Sequence, residues 1–69
     1  MNEIGPRIKV LRESQGLTQA AFTIRCNLAG FAISRGTLAK IEAQLRRVTD
    51  LELRLLVKAL GVSVNELYL

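Results

Sequence analysis

The chain has no histidine and a single cysteine, Cys26. This removes the usual nitrogen and sulfur ligands of a zinc site and the pairs that activate a nucleophile. One cysteine also excludes an internal disulfide and fits a reducing compartment. Long hydrophobic runs are missing too. The longest, residues 28–33, is far too short to cross a bilayer. The start, MNEIGPRIKV, lacks the apolar core of a signal peptide, so a cytoplasmic protein is expected. Neither an enzyme, nor a metal site, nor a cofactor is expected. What the chain does have is positive charge: ten Lys and Arg against six Asp and Glu, a net +4 with a pI near 10.0. That balance favours a polyanionic partner. At 69 residues one domain is expected, burying about 60% of its unfolded surface, so its local signals have to agree.

They do agree. An apolar residue, then Ser or Thr, then an apolar residue four positions later occurs as LTQAAF (17–22), ISRGTL (33–38), VTDLEL (48–53) and VSVNEL (62–67). Each is a hydrophobic staple around an N-cap, in which the hydroxyl accepts an orphan backbone N–H. Glu52 and Glu66 complete capping boxes in the last two. Gly16, Gly30 and Gly61 follow apolar-periodic segments, where a left-handed residue closes a helix. An all-α bundle of five short helices follows, over about 4–15, 19–29, 35–44, 50–60 and 64–68. Ile4, Ile8 and Leu11 are the expected inner face of the first helix. Pro6 sits in its first turn, where a missing N–H does little harm.

The stretch ISRGTLAKIE (33–42) carries the functional signal. Leu38, Ile41 and Leu45 share the expected buried face. The opposite face holds Gly36, Ala39, Lys40 and Ala43, with Arg35 at the helix start. Gly36 there weakens the helix by up to about 1 kcal/mol relative to alanine. A helix face bare of side chains and framed by cations lets a backbone approach something flat. Cys26 lies on the Phe22 face and reads as core packing. Arg54 and Lys58 read as a solvated face. Ile24 and Leu28 lie off the Phe22 stripe, either as core under helix two or as an exposed patch for self-association.

Four stretches in this order, LRESQGLTQ (11–19), ISRGTLAKIE (33–42), RRVTDLEL (46–53) and KALGVSVNEL (58–67), resemble the phage-repressor/Cro-like (XRE-type) helix-turn-helix domains over nearly the whole chain. The resemblance implies that helix three lies in the major groove of double-stranded DNA, with Arg35, Gly36, Ala39 and Lys40 facing the bases. Arg35 suits guanine O6 and N7, and Ala39 a thymine methyl. It assigns Thr18, Gln19, Thr37, Arg46 and Arg47 to phosphates. It also pairs Arg12 with Glu42 in a largely buried salt bridge. Two departures stand out: about five extra residues between Phe22 and Ser34, and Gln44 where many members turn through glycine.

Two function classes compete. A transcription regulator, most simply a repressor or autoregulator, would bind a palindromic operator as a homodimer through Leu67, Tyr68 and Leu69, or through Ile24 and Leu28. A protein-interaction module of the same fold, antitoxin or coactivator-like, would use the bare face of helix three and ignore DNA. Between residues 35 and 47, four cations face Glu42 alone, which favours DNA.

Overall fold

In the computed structural model, residues 4–63 and 65–66 are described. They form four α-helices, α1 (Ile4–Ser14), α2 (Gln19–Leu28), α3 (Arg35–Glu42) and α4 (Asp50–Leu60). Three of the four expected N-caps are occupied as the staple pattern requires. Thr18 accepts the Ala21 N–H at 3.0 Å, Ser34 that of Thr37 at 3.1 Å, and Thr49 that of Glu52 at 3.1 Å. The Glu52 carboxylate reaches back to the Thr49 N–H, closing the capping box. The apolar residues before these caps, Leu17, Ile33 and Val48, pack against the core cluster that contains Phe22 and Leu38, as does Leu53.

The helices also end alike. Gly16 and Gly30 take positive φ, and the next N–H bonds the carbonyl five residues back (Leu17 to Arg12, Phe31 to Cys26). α3 closes the same way without a glycine: Gln44 adopts φ 61°, and Leu45 N–H reaches Lys40 O at 2.8 Å. With the second bond at each end, from Gly16 N–H to Glu13 O, Gly30 N–H to Asn27 O and Gln44 N–H to Ile41 O, this is the Schellman closure.

That closure corrects the reading of helix three. It stops at Glu42, two residues short of the expected end, and Leu45 swings out to 78% exposure instead of joining Leu38 and Ile41 inside. Once the backbone turns left-handed at Gln44, helical spacing no longer dictates which way Leu45 points. The helix count changes as well, to four among the described residues. Of the expected fifth helix, residues 65 and 66 form a single 3₁₀ turn, held by Glu66 N–H to Ser63 O and Ser63 N–H to the Glu66 carboxylate. The rest of that helix, with Leu67, Tyr68 and Leu69, lies outside the described residues.

The core is built from Ile8, Phe22, Cys26, Phe31, Leu38, Ile41, Leu56 and Leu60, with Ile4 and Leu11 half-buried against it. α2 packs on α3 and α4, and α1 packs on α3. Burial pushes the Cys26 thiol up to about 11, so it sits in the core as an uncharged apolar group. Ile24 and Leu28 are 63% and 83% exposed, which removes the option that they fill a core under α2. Among the described residues no helix is long and apolar enough to cross a membrane.

Candidate nucleic-acid interface

The turn between α2 and α3, from Ala29 to Ser34, is longer than the three or four residues usual for a helix-turn-helix, so extra residues lie in the turn. The turn is tied at both ends. Asn27 donates from its amide to Thr23 O at 2.8 Å and to Ile33 O at 3.0 Å, bridging helix α2 to the residue just before the Ser34 cap.

Behind α3 lies a buried ion pair. Arg12 and Glu42 are each 6% exposed, and the guanidinium meets the carboxylate with Nε at 2.7 Å and Nη2 at 3.1 Å. The third side of the fork, Nη1, donates to Leu17 O at 2.7 Å. Glu42 Oε1 also accepts from Gln19 Nε2 at 3.1 Å. One carboxylate therefore joins the end of α1, the start of α2 and the last turn of α3. Its hydrogen bond raises the Arg12 pKa, keeping a charge that burial alone would oppose.

The two helices of this joint also touch directly. Gly5 in α1 lies against the Ile41 carbonyl of α3, where a Cβ would collide with backbone. Sequence reading missed Gly5. Its role is set by a helix thirty-six positions away, and nothing local marks it.

The outer face of α3 is open. Arg35, Gly36 and Lys40 are exposed, and Ala39 and Thr37 are half-buried. Thr37 Oγ1 lies 3.1 Å from Ser34 Oγ. Gly36 contrasts with Gly5: a Cβ there would meet nothing closer than Ser34 Oγ at 3.8 Å, in ordinary contact. The fold itself has no use for a missing side chain at this position. Thr18 and Gln19 stand at the start of α2, with the Thr18 hydroxyl taken up by its cap and one Gln19 amide hydrogen held by Glu42.

Beyond α3, Arg47 is exposed, while Arg46 is engaged. Its Nη1 and Nη2 meet Glu52 Oε1 at 3.1 Å and Oε2 at 2.8 Å, and Nη1 donates to Arg47 O at 3.1 Å. The hydrogen bond to Glu52 raises the Arg46 pKa. The bond from Arg46, joined by that from the Thr49 backbone, lowers the Glu52 pKa. A depressed carboxyl stabilises the fold fully above its unfolded value of about 4.3, and that contribution is lost as pH falls through the lower folded value. Among the described residues, no group of three or more acidic or cysteine side chains is placed to hold a metal ion.

Two helices joined by a tied turn, the second showing a bare and cationic face, make a helix-turn-helix module. The family model described as helix-turn-helix matches residues 8–67, and the chain belongs to this XRE-type, Cro/CI-like family of DNA-binding transcription regulators. No curated protein and no solved structure matches it.

Proposed function

We propose that the chain is a sequence-specific double-stranded DNA-binding regulator, acting as a homodimer that represses by occupying a palindromic operator. The observation that carries this is Gly36. It weakens an exposed helix, nothing inside the fold requires it, and it stands between Arg35 and Lys40 on the open face. A surface from outside that needs close approach explains all three facts. Arg35 and Lys40 supply the hydrogen-bond donors on that face, Arg35 to guanine and Lys40 to a base edge or phosphate, with Ala39 against a thymine methyl. Thr18, Gln19, Thr37 and Arg47 line the flanking phosphates, with Arg46 beside them in the loop after α3. One reading helix offers few base contacts, and a two-fold pair over half-sites about 10 bp apart doubles them. Ile24 and Leu28 give one exposed apolar contact for that pair; Leu67, Tyr68 and Leu69 are the alternative.

Gly36→Ala separates folding from reading. The added methyl is expected to raise stability by about 0.5–1 kcal/mol, while weakening operator binding by about 1 kcal/mol or more through loss of close approach. Thermal melts and a binding isotherm on one preparation measure both. If affinity holds or rises with stability, Gly36 does not face the DNA.

Salt separates the DNA reading from the protein-interaction reading. With four to six phosphates neutralised per dimer, log K against log salt is expected to fall with a slope of about −4 to −5. Arg35→Ala is expected to relax discrimination at one base pair per half-site by about 1–3 kcal/mol. The measurement is made on the operator recovered from a random duplex pool, with sedimentation recording the dimer. A slope near zero, with no duplex selected, would favour a protein partner.

A further inference from the structure

We propose that Arg46 serves DNA binding as a positioning residue, latching the 43–49 loop to the first turn of α4 through Glu52, and adds little as a phosphate-neutralising cation. This rests on the DNA reading above and assigns the roles of two adjacent arginines within it. Both arginines carry the same charge in sequence, yet their surroundings differ. Arg46 meets Glu52 fork to fork, with two parallel N–H···O bonds at 3.1 and 2.8 Å. That geometry is the strong, directional form of an ion pair. Arg47 is exposed, and among the described residues no carboxylate pairs with it.

The latch acts on Arg47 through the backbone. Arg46 Nη1 also donates to Arg47 O, so the same guanidinium that grips α4 holds the peptide from which Arg47 projects. Glu52 is anchored in turn, because its Oε1 accepts the Thr49 N–H in the capping box. The loop leaves α3 through the left-handed turn at Gln44 and enters α4 at Asp50. It is thus fixed at its start by the Schellman closure and at its middle by Arg46. Arg46 and Glu52 sum to zero charge, so the pair adds little to the local field. The cation left for a phosphate is Arg47.

The experiment uses charge with the sign reversed. Glu52→Gln removes a negative charge, which by bulk attraction would tighten DNA binding. It keeps a capping-box acceptor, since glutamine serves at this position, but it cannot hold the arginine fork as an anion. Arg46→Lys keeps the charge and loses the fork. Each variant is expected to weaken duplex binding roughly fivefold or more, and the double variant no further than the worse single, because the two act as one unit. The salt slope is expected to stay near the wild-type value in both, whereas Arg47→Ala flattens it by about 0.9 per subunit.

Melting curves first identify which variants are folded at the assay temperature, and either single variant suffices. Tighter binding by Glu52→Gln, wild-type binding by Arg46→Lys, or an Arg46→Ala slope as flat as that of Arg47→Ala overturns the latch. A wild-type chain that ignores duplex DNA overturns the parent reading instead, and that is seen before any variant is compared.

Discussion

Glu42→Gln is expected to lower stability by about 3–5 kcal/mol, a large share of the 5–15 kcal/mol typical of a folded domain. The substitution is nearly isosteric, so the loss comes from charge. Arg12 stays buried at 6% exposure with its anion gone, and it cannot deprotonate to escape. The joint between α1, α2 and α3 loosens at once, since Arg12, Gln19 and Glu42 share one set of hydrogen bonds. Urea unfolding measures the loss. Replacing both Arg12 and Glu42 by methionine is expected to recover most of it, because an apolar pair leaves no orphaned charge. Recovery stays incomplete, since Leu17 O and the Gln19 amide lose their partners. A Glu42→Gln variant melting within a degree or two of wild type would show that this pair holds nothing together.

The second large effect is Gly5→Ala. Alanine is the better helix former by about 1 kcal/mol, and in an open helix it would stabilise. Here its methyl meets the Ile41 carbonyl, with the Ile41 carbon at 3.2 Å and the Glu42 carbonyl oxygen at 3.3 Å. All three are backbone atoms of α3 and cannot rotate aside. The helices have to part, at a net loss of about 3 kcal/mol, or roughly 12–24 °C in melting temperature for a domain of this size. Calorimetry on Gly5→Ala and Gly36→Ala side by side gives opposite signs if the two glycines serve different surfaces. A Gly5→Ala protein as stable as wild type would mean that α1 does not press on α3.

What could be read from the sequence was local. Thr18, Ser34 and Thr49 announce helix starts because an N-cap and its staple span six residues. Gly16, Gly30 and Gly61 announce ends because left-handed backbone favours glycine. Gln44 adopts the same conformation without that signature, and the misjudged end of α3 and the outward Leu45 both follow from it. Gly5 was illegible for the converse reason, its constraint being a carbonyl on another helix. Glu52 was read as a cap, and the cap is there. That one carboxylate could also grip Arg46 became visible only once the loop was folded back onto α4. Of the open face, Arg35, Gly36 and Lys40 emerge where helical spacing puts them, because all three fall inside the helix Arg35–Glu42.

The turn bridged by Asn27 has a calorimetric consequence. A connection this long could drift in the free protein and become ordered only against a partner, adding an unfavourable entropy to association. With Thr23 and Ile33 joined through one amide, part of that ordering is already made in the free chain. Association with DNA is then expected to show a heat-capacity change set by the apolar area brought into contact, without the larger excess that accompanies coupled folding.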